Sequence, residues 1–176
     1  MTRVVAFLRA INVGGHVVKK EQLLKGFESL GFKEVVAYKQ AGNVIFEADG
    51  MKVEDARVRI EKMLRGSLGY DVEVFIRSVA DLRDLLEKEP REKKADLMSC
   101  LVTFLPGDIP NPFPRLPLVI PKSKAEVVSS TGREVFSLTY VMGEGGLPNQ
   151  FLESKLRAKT TTRNINVIRE IVEKFG

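Results

Sequence analysis

The sequence holds one cysteine, Cys100, which excludes an intramolecular disulfide. It holds one histidine, His16, so a histidine-based metal cluster is excluded, and no group of cysteines takes its place. No apolar run approaches the ~20 residues needed to cross a bilayer. The opening MTRVVAFLRAINVGG is interrupted by Arg9 and Asn12 and lacks a small-residue cleavage pattern behind a long apolar stretch. A soluble, reduced, cytoplasmic protein with no membrane partner and no cofactor is expected. The phosphate-loop spacing G-x-x-x-x-G-K-[ST] is missing, as is G-x-G-x-x-G. So is the aromatic K/R-G-F/Y-G/A-F-V-x-F/Y signature of RNA-recognition modules.

What is present suffices for a folded core. Of 176 residues, 44% are hydrophobic, a length and composition that suit one large domain or two small ones. Lys and Arg number 28 against 23 Asp and Glu, a formal charge of +5 that mildly favours acidic ligands.

Alternation from Val4 to Val13 sets Val5, Phe7, Arg9 and Ile11 on one strand face and Val4, Ala6, Leu8 and Ala10 on the other, the mark of a central strand that Gly14-Gly15 breaks. Leu23, Leu24, Phe27 and Leu30 form one helical face, with Gly31 placed for a left-handed cap. EVVAYKQ and NVIFEAD flank Ala41-Gly42 as a hairpin. Val53, Ala56, Ile60, Met63 and Leu64 mark a second helix closed by Gly66 and Gly69, and DVEVFIRS supplies a fourth strand. The order β-α-β-β-α-β over residues 1–77 is the split-βαβ, ferredoxin-like pattern of an α+β fold.

A second, smaller α/β half is expected over residues 78–176. Ser78 and Asp81 start a helix carrying Leu82, Leu85 and Leu86, which Pro90 stops. LMSCLVTFL reads as a buried strand, and PGDIPNPFPRLP gathers five of the eight prolines into a stiff connection. KAEVVSS and REVFSLTYV form a hairpin about Thr131-Gly132. Two helical segments, near 151–156 and 165–175, end the chain; in the second, Ile165, Ile168, Ile171, Val172 and Phe175 mark the buried face.

Three polar stretches stand out. In NVGGHVVKK, Gly14 and Gly15 let backbone N–H groups approach an oxyanion, although a simple turn needs the same glycines. In YKQAGNVIF, the amides of Gln40 and Asn43 can satisfy the turn itself or, with Tyr38, a ligand beside Arg9. In KTTTRN, a hydroxyl of Thr161 or Thr162 can cap the last helix. Those hydroxyls, the helix dipole, Arg163 and Asn164 can also cradle an anion. Catalytic pairings are sparse: Cys100 sits in an apolar run where a structural thiol is the rule, and Glu126, Glu134 and Glu144 are scattered. Phe7, Tyr38 and Phe46 could stack bases on an open sheet face, but core packing is their more common fate.

LRAINVGG, YKQAGNVIF and TTRN, in this order, resemble the bacterial and archaeal DUF1697 family, whose usual forms are L-R-G-I-N-V-G-G and Y-x-Q-S-G-N-V-x-F. Ala10 stands here for the first glycine and Ala41 for the serine, so a serine nucleophile at that turn is unavailable. The resemblance implies a two-part α/β fold with a ferredoxin-like first part, and no established activity.

The leading functional expectation is a binding module for an anionic, phosphate-bearing nucleotide or oligonucleotide, sited between the two halves. Arg9 and Arg163 would hold the anion, Gly14, Gly15, Thr161 and Thr162 would donate to it, and Asn12, Tyr38, Gln40, Asn43 and Asn164 would orient it. One alternative is an enzyme on a small phosphorylated or carboxylated substrate, with Tyr38 or His16 moving a proton. Another is a structural polar interface in which both arginines pair with carboxylates.

Overall fold

A computed structural model describes residues 3–12, 17–39, 42–90, 97–110, 112–121, 124–140 and 148–176. Among them lie five helices and nine strands in two antiparallel sheets, a mixed α+β architecture. The chain divides into two compact units, Met1–Leu82 with Phe175–Gly176, and Arg83–Lys174. None of the described helices is long and apolar enough to cross a membrane.

The first unit runs β1 (Arg3–Leu8), α1 (Lys20–Ser29), β2 (Lys33–Tyr38), β3 (Asn43–Glu47), α2 (Val53–Leu68), β4 (Val74–Ser78). Its sheet order is β2-β3-β1-β4. Strand alternation sends Val4, Ala6, Leu8, Val44, Phe46, Val74 and Ile76 to the face where Leu23 and Phe27 of α1 and Ala56, Ile60 and Leu64 of α2 complete one core. Phe27 meets Phe46 edge-on at 5.4 Å between ring centroids, and Phe32 lies 4.4 Å from Phe46. The other face is buried as well: Val5, Phe7, Ile45 and Phe75 are at most 3% exposed. Gly69 closes α2 at φ 80, its N–H donating to Arg65 O, whereas Gly66 lies inside the helix.

The first strand is shorter than its alternation suggests. β1 ends at Leu8, so Arg9 is not strand-borne: Ala10 adopts φ 55, a left-handed conformation that turns the chain out of the sheet. This is the position where the resemblance puts glycine. An L-residue there costs about 1–2 kcal/mol, and glycine adds back about 0.5–1 kcal/mol of backbone entropy. Ala10→Gly is therefore expected to raise stability by up to about 1 kcal/mol in urea unfolding. A lower midpoint would mean that the methyl packs more usefully than the backbone is strained.

The connection between β2 and β3 is also longer than a two-residue turn, because Tyr38 pairs with Asn43 and Lys39 takes φ 47. Glu34, also left-handed at φ 49, lies where the β2–β3 register shifts.

Ser78 Oγ accepts the Asp81 N–H at 2.9 Å while Asp81 Oδ2 accepts the Ser78 N–H at 3.3 Å, the reciprocal cap foreseen for α3 (Val79–Glu87). The second unit then holds β5 (Ser99–Phe104), β6 (Leu118–Val119), β7 (Ala125–Ser130), β8 (Glu134–Thr139), α4 (Asn149–Leu156), β9 (Thr161–Asn164) and α5 (Ile165–Phe175, its last residue counted with the first unit). The sheet order is β6-β7-β8-β5-β9. Leu105, Phe113, Ile120, Ala125, Val127, Val135 and Leu152 form a core in which the proline-rich connection contributes Phe113 and α4 contributes Leu152. At the β7–β8 turn Gly132 takes φ 91, and a Cβ there would stand 2.5 Å from Asp108 Oδ1.

Candidate functional site

Each polar stretch is described within its own unit. Antiparallel pairing brings the ends of β1 and β2 and the starts of β3 and β4 to one edge of the first sheet, which gathers Arg9, Tyr38, Asn43 and Glu73. The Arg9 N–H donates to Glu73 O at 3.0 Å, and its guanidinium Nη1 lies 3.4 Å from Glu73 Oε2. Asn12 Oδ1 accepts the Val18 N–H at 3.0 Å. The buried Asn43 amide donates to Tyr38 O at 3.0 Å, fastening the hairpin. Tyr70 OH donates to Ile11 O at 3.0 Å, and the Tyr38 ring lies edge-on to Phe175 at 5.8 Å. Neither Glu73 nor Tyr70 was marked by any local sequence signal. Gly14, Gly15, His16 and Gln40 lie outside the described residues.

In the second unit, Thr161–Asn164 is a strand and not the first turn of the last helix. It pairs antiparallel with β5, Phe104 opposite Thr161, Thr103 opposite Thr162, Val102 opposite Arg163 and Leu101 opposite Asn164. The cap of α5 is consequently Asn164 rather than Thr161 or Thr162: its Oδ1 accepts the Asn166 N–H at 2.9 Å while its Nδ2 donates to Ser99 Oγ at 3.1 Å.

Thr162 is spent inside the unit. Its Oγ1 donates to Asn149 Oδ1 and lies 2.7 Å from Thr103 Oγ1. The Asn149 carbonyl oxygen can only accept, so Thr162 gives it its single proton and Thr103 must donate to Thr162. One residue earlier, the fully buried Thr160 has its N–H held by Glu153 Oε1 at 2.8 Å and its C=O by Asn149 Nδ2 at 3.3 Å. Asn149 and Glu153 are four residues apart on α4, hence on one helix face.

Arg163 differs from the threonine and asparagine side chains of this corner in carrying a positive charge. Its Nη1 donates to the buried Thr161 Oγ1 at 2.8 Å and to Thr162 O at 2.9 Å. Burial penalises the cation and pushes the guanidinium down to about 10. Burial likewise raises the Cys100 thiol to about 12, with Glu89 adding to the effect, so Cys100 is a neutral thiol at physiological pH and not a nucleophile. Base stacking on the first sheet is excluded for Phe7 and Phe46, both 0% exposed. Among the described residues no group of three metal-ligating side chains converges.

The family model described as "Protein of unknown function (DUF1697)" matches residues 1–136, which include the first two polar stretches and end before β9. No curated protein matches the chain. Among solved structures, the conserved bacterial protein SP0830 from Streptococcus pneumoniae is similar with a TM-score of 0.71 at 19% identity, over 98% of this chain and 97% of that one. At that identity the likeness concerns the fold alone.

Proposed function

From the premise that this chain belongs to the DUF1697 family, whose model covers residues 1–136, we propose that the protein is a binding module for a small phosphate-bearing ligand, held in the second unit at Arg163. The observation that carries this reading is geometric: Arg163 places a guanidinium in β9 against the Thr161 hydroxyl and the Thr162 carbonyl oxygen, at 2.8 and 2.9 Å. A cation pushed down to about 10 by burial is a group whose charge the fold disfavours. A phosphate placed against the guanidinium would offset that penalty with charge-assisted hydrogen bonds. Thr161 supports the same geometry: its hydroxyl oxygen already accepts from Arg163, so its proton is directed elsewhere.

Arg9, Asn12 and Asn43 favour a second reading for the first unit. The Arg9–Glu73 pair and the two amide bonds tie the ends of the strands to their own loops, which is a bracing role. The finer description of this unit as ferredoxin-like draws support from its β-α-β-β-α-β order and from the sequence β2-β3-β1-β4 across the sheet. A cytoplasmic setting is part of the same proposal and draws on the lone cysteine.

Thermal unfolding in inorganic phosphate, against chloride at matched ionic strength, tests the site. The parent protein is expected to be stabilised by phosphate and by a 5′-mononucleotide, and an Arg163→Ala variant to lose both shifts while remaining folded by circular dichroism. Equal shifts in parent and variant, or none in the parent, would overturn the assignment.

A further inference from the structure

The second sheet runs β6-β7-β8-β5-β9, so β6 and β9 are its edge strands. β6 is two residues long and stands between Pro117 and Pro121, a length and composition that resist pairing with another chain. β9 has neither protection: Thr161–Asn164 contains no proline and pairs with β5 without a register shift.

The register identifies which groups of β9 point outward. The Leu105 N–H donates to Arg133 O at 2.9 Å, which turns the odd-numbered backbone groups of β5 toward β8 and the even-numbered ones toward β9. Phe104 and Val102 therefore hold Thr161 and Arg163 in the ladder, and the backbone of Thr160 and Thr162 faces away from β5. Three of those four outward groups are taken by side chains. Glu153 Oε1 accepts the Thr160 N–H at 2.8 Å, Asn149 Nδ2 donates to Thr160 O at 3.3 Å, and Arg163 Nη1 donates to Thr162 O at 2.9 Å. Asn149 and Glu153 flank Leu152 on one face of α4, and Leu152 is anchored in the core of the unit.

We propose that α4 guards this edge, and that the partner it excludes is a second copy of this chain adding its own β9. The outward positions Thr160, Thr162 and Asn164 are spaced evenly about Thr162. Two copies related by a twofold axis would pair antiparallel, Thr162 opposite Thr162 and Thr160 opposite Asn164, each supplying the donors and acceptors of the other. Water satisfies the outward groups of most exposed edges. Side chains carried on an anchored helix close this one to another strand as well.

Sedimentation of the full chain over a range of concentrations provides the test. The double variant Asn149→Ala/Glu153→Ala is expected to associate to twice the parental mass as concentration rises. Adding Thr162→Pro, which deletes an outward N–H that β5 does not use, is expected to restore the parental mass. Val127→Ala loosens the core of the same unit at β7, far from β9 in the strand order, and is expected to keep the parental mass. The guard is refuted if the double variant keeps the parental mass, if Val127→Ala associates equally, or if Thr162→Pro leaves the association unchanged. Should the double variant fail to fold, hydrogen exchange of the parent decides. The Thr160 amide is expected to exchange as slowly as the ladder amides of Thr161 and Arg163, and exchange at the rate of an open edge would refute the guard. Every variant keeps Arg163, so a failed phosphate shift overturns the Arg163 site and leaves this result standing.

Discussion

An Arg163→Met variant is expected to unfold at a higher temperature than the parent protein while losing its phosphate response. Below about pH 10 the folded chain carries a guanidinium that burial disfavours, whereas the unfolded chain carries the same charge in water. The desolvation cost is present throughout the physiological range and is relieved only as pH rises through about 10. A methionine of similar reach keeps most of the packing and removes the charge. It gives up the hydrogen bonds to Thr161 Oγ1 and Thr162 O, which return part of the gain. The net is expected to be about 1–2 kcal/mol of added stability, or about 2–8 °C for a chain of this size.

A midpoint several degrees lower would show that the guanidinium is chiefly a clasp on β9, and the anion-binding assignment would lose its main support. Arg163→Lys sharpens the distinction. The same burial acting on an ammonium, which holds its proton less tightly than a guanidinium, lowers its proton affinity. Phosphate stabilisation of that variant is therefore expected to fade with rising pH well before the parent response does.

Glu153→Ala is expected to cost about 2–3 kcal/mol. The carboxylate accepts the backbone N–H of Thr160, a residue with no exposed surface, and its removal leaves a buried donor without an acceptor. The Thr160 hydroxyl already lacks a partner, so its own proton has found no acceptor in this corner of the unit. Glu153→Gln keeps an acceptor in place and is expected to lose less than about 1 kcal/mol. Asn149→Ala should weaken the same latch from the carbonyl side, and the double variant should lose less than the sum because both side chains serve Thr160. Urea unfolding at constant m-value measures each effect. A Glu153→Ala midpoint indistinguishable from the parent would mean that water reaches the Thr160 amide and that α4 is not latched to β9.

How much of this was readable beforehand depends on whether a residue's state is local. The reciprocal Ser78–Asp81 cap joins residues only three apart, and Gly69 closes its helix by its own conformational freedom. Of the candidate site residues, Asn43 and Asn12 were foreseeable as local braces because their partners lie five and six residues away. Glu73, Thr103, Asn149 and Glu153 were not, because what they meet is set by strand pairing and helix docking. The Ser137 hydroxyl, buried in β8 without a partner, is one polar placement for which the packing offers no account.

By itself the amino-acid order determined the helices, most strands and their apolar faces, because the spacing of Ile165, Ile168 and Ile171, or of Val4, Ala6 and Leu8, states directly which side must leave water. Only the tertiary structure decided the fate of Thr161–Asn164 and of Arg9. Four polar residues carry no apolar alternation, so the choice between strand and helical turn fell to the edge of β5, whose backbone groups they pair. Arg9 left its strand because a left-handed Ala10 next to it, held among long-range bonds to Glu73 and Tyr70, outweighed a local preference for extension.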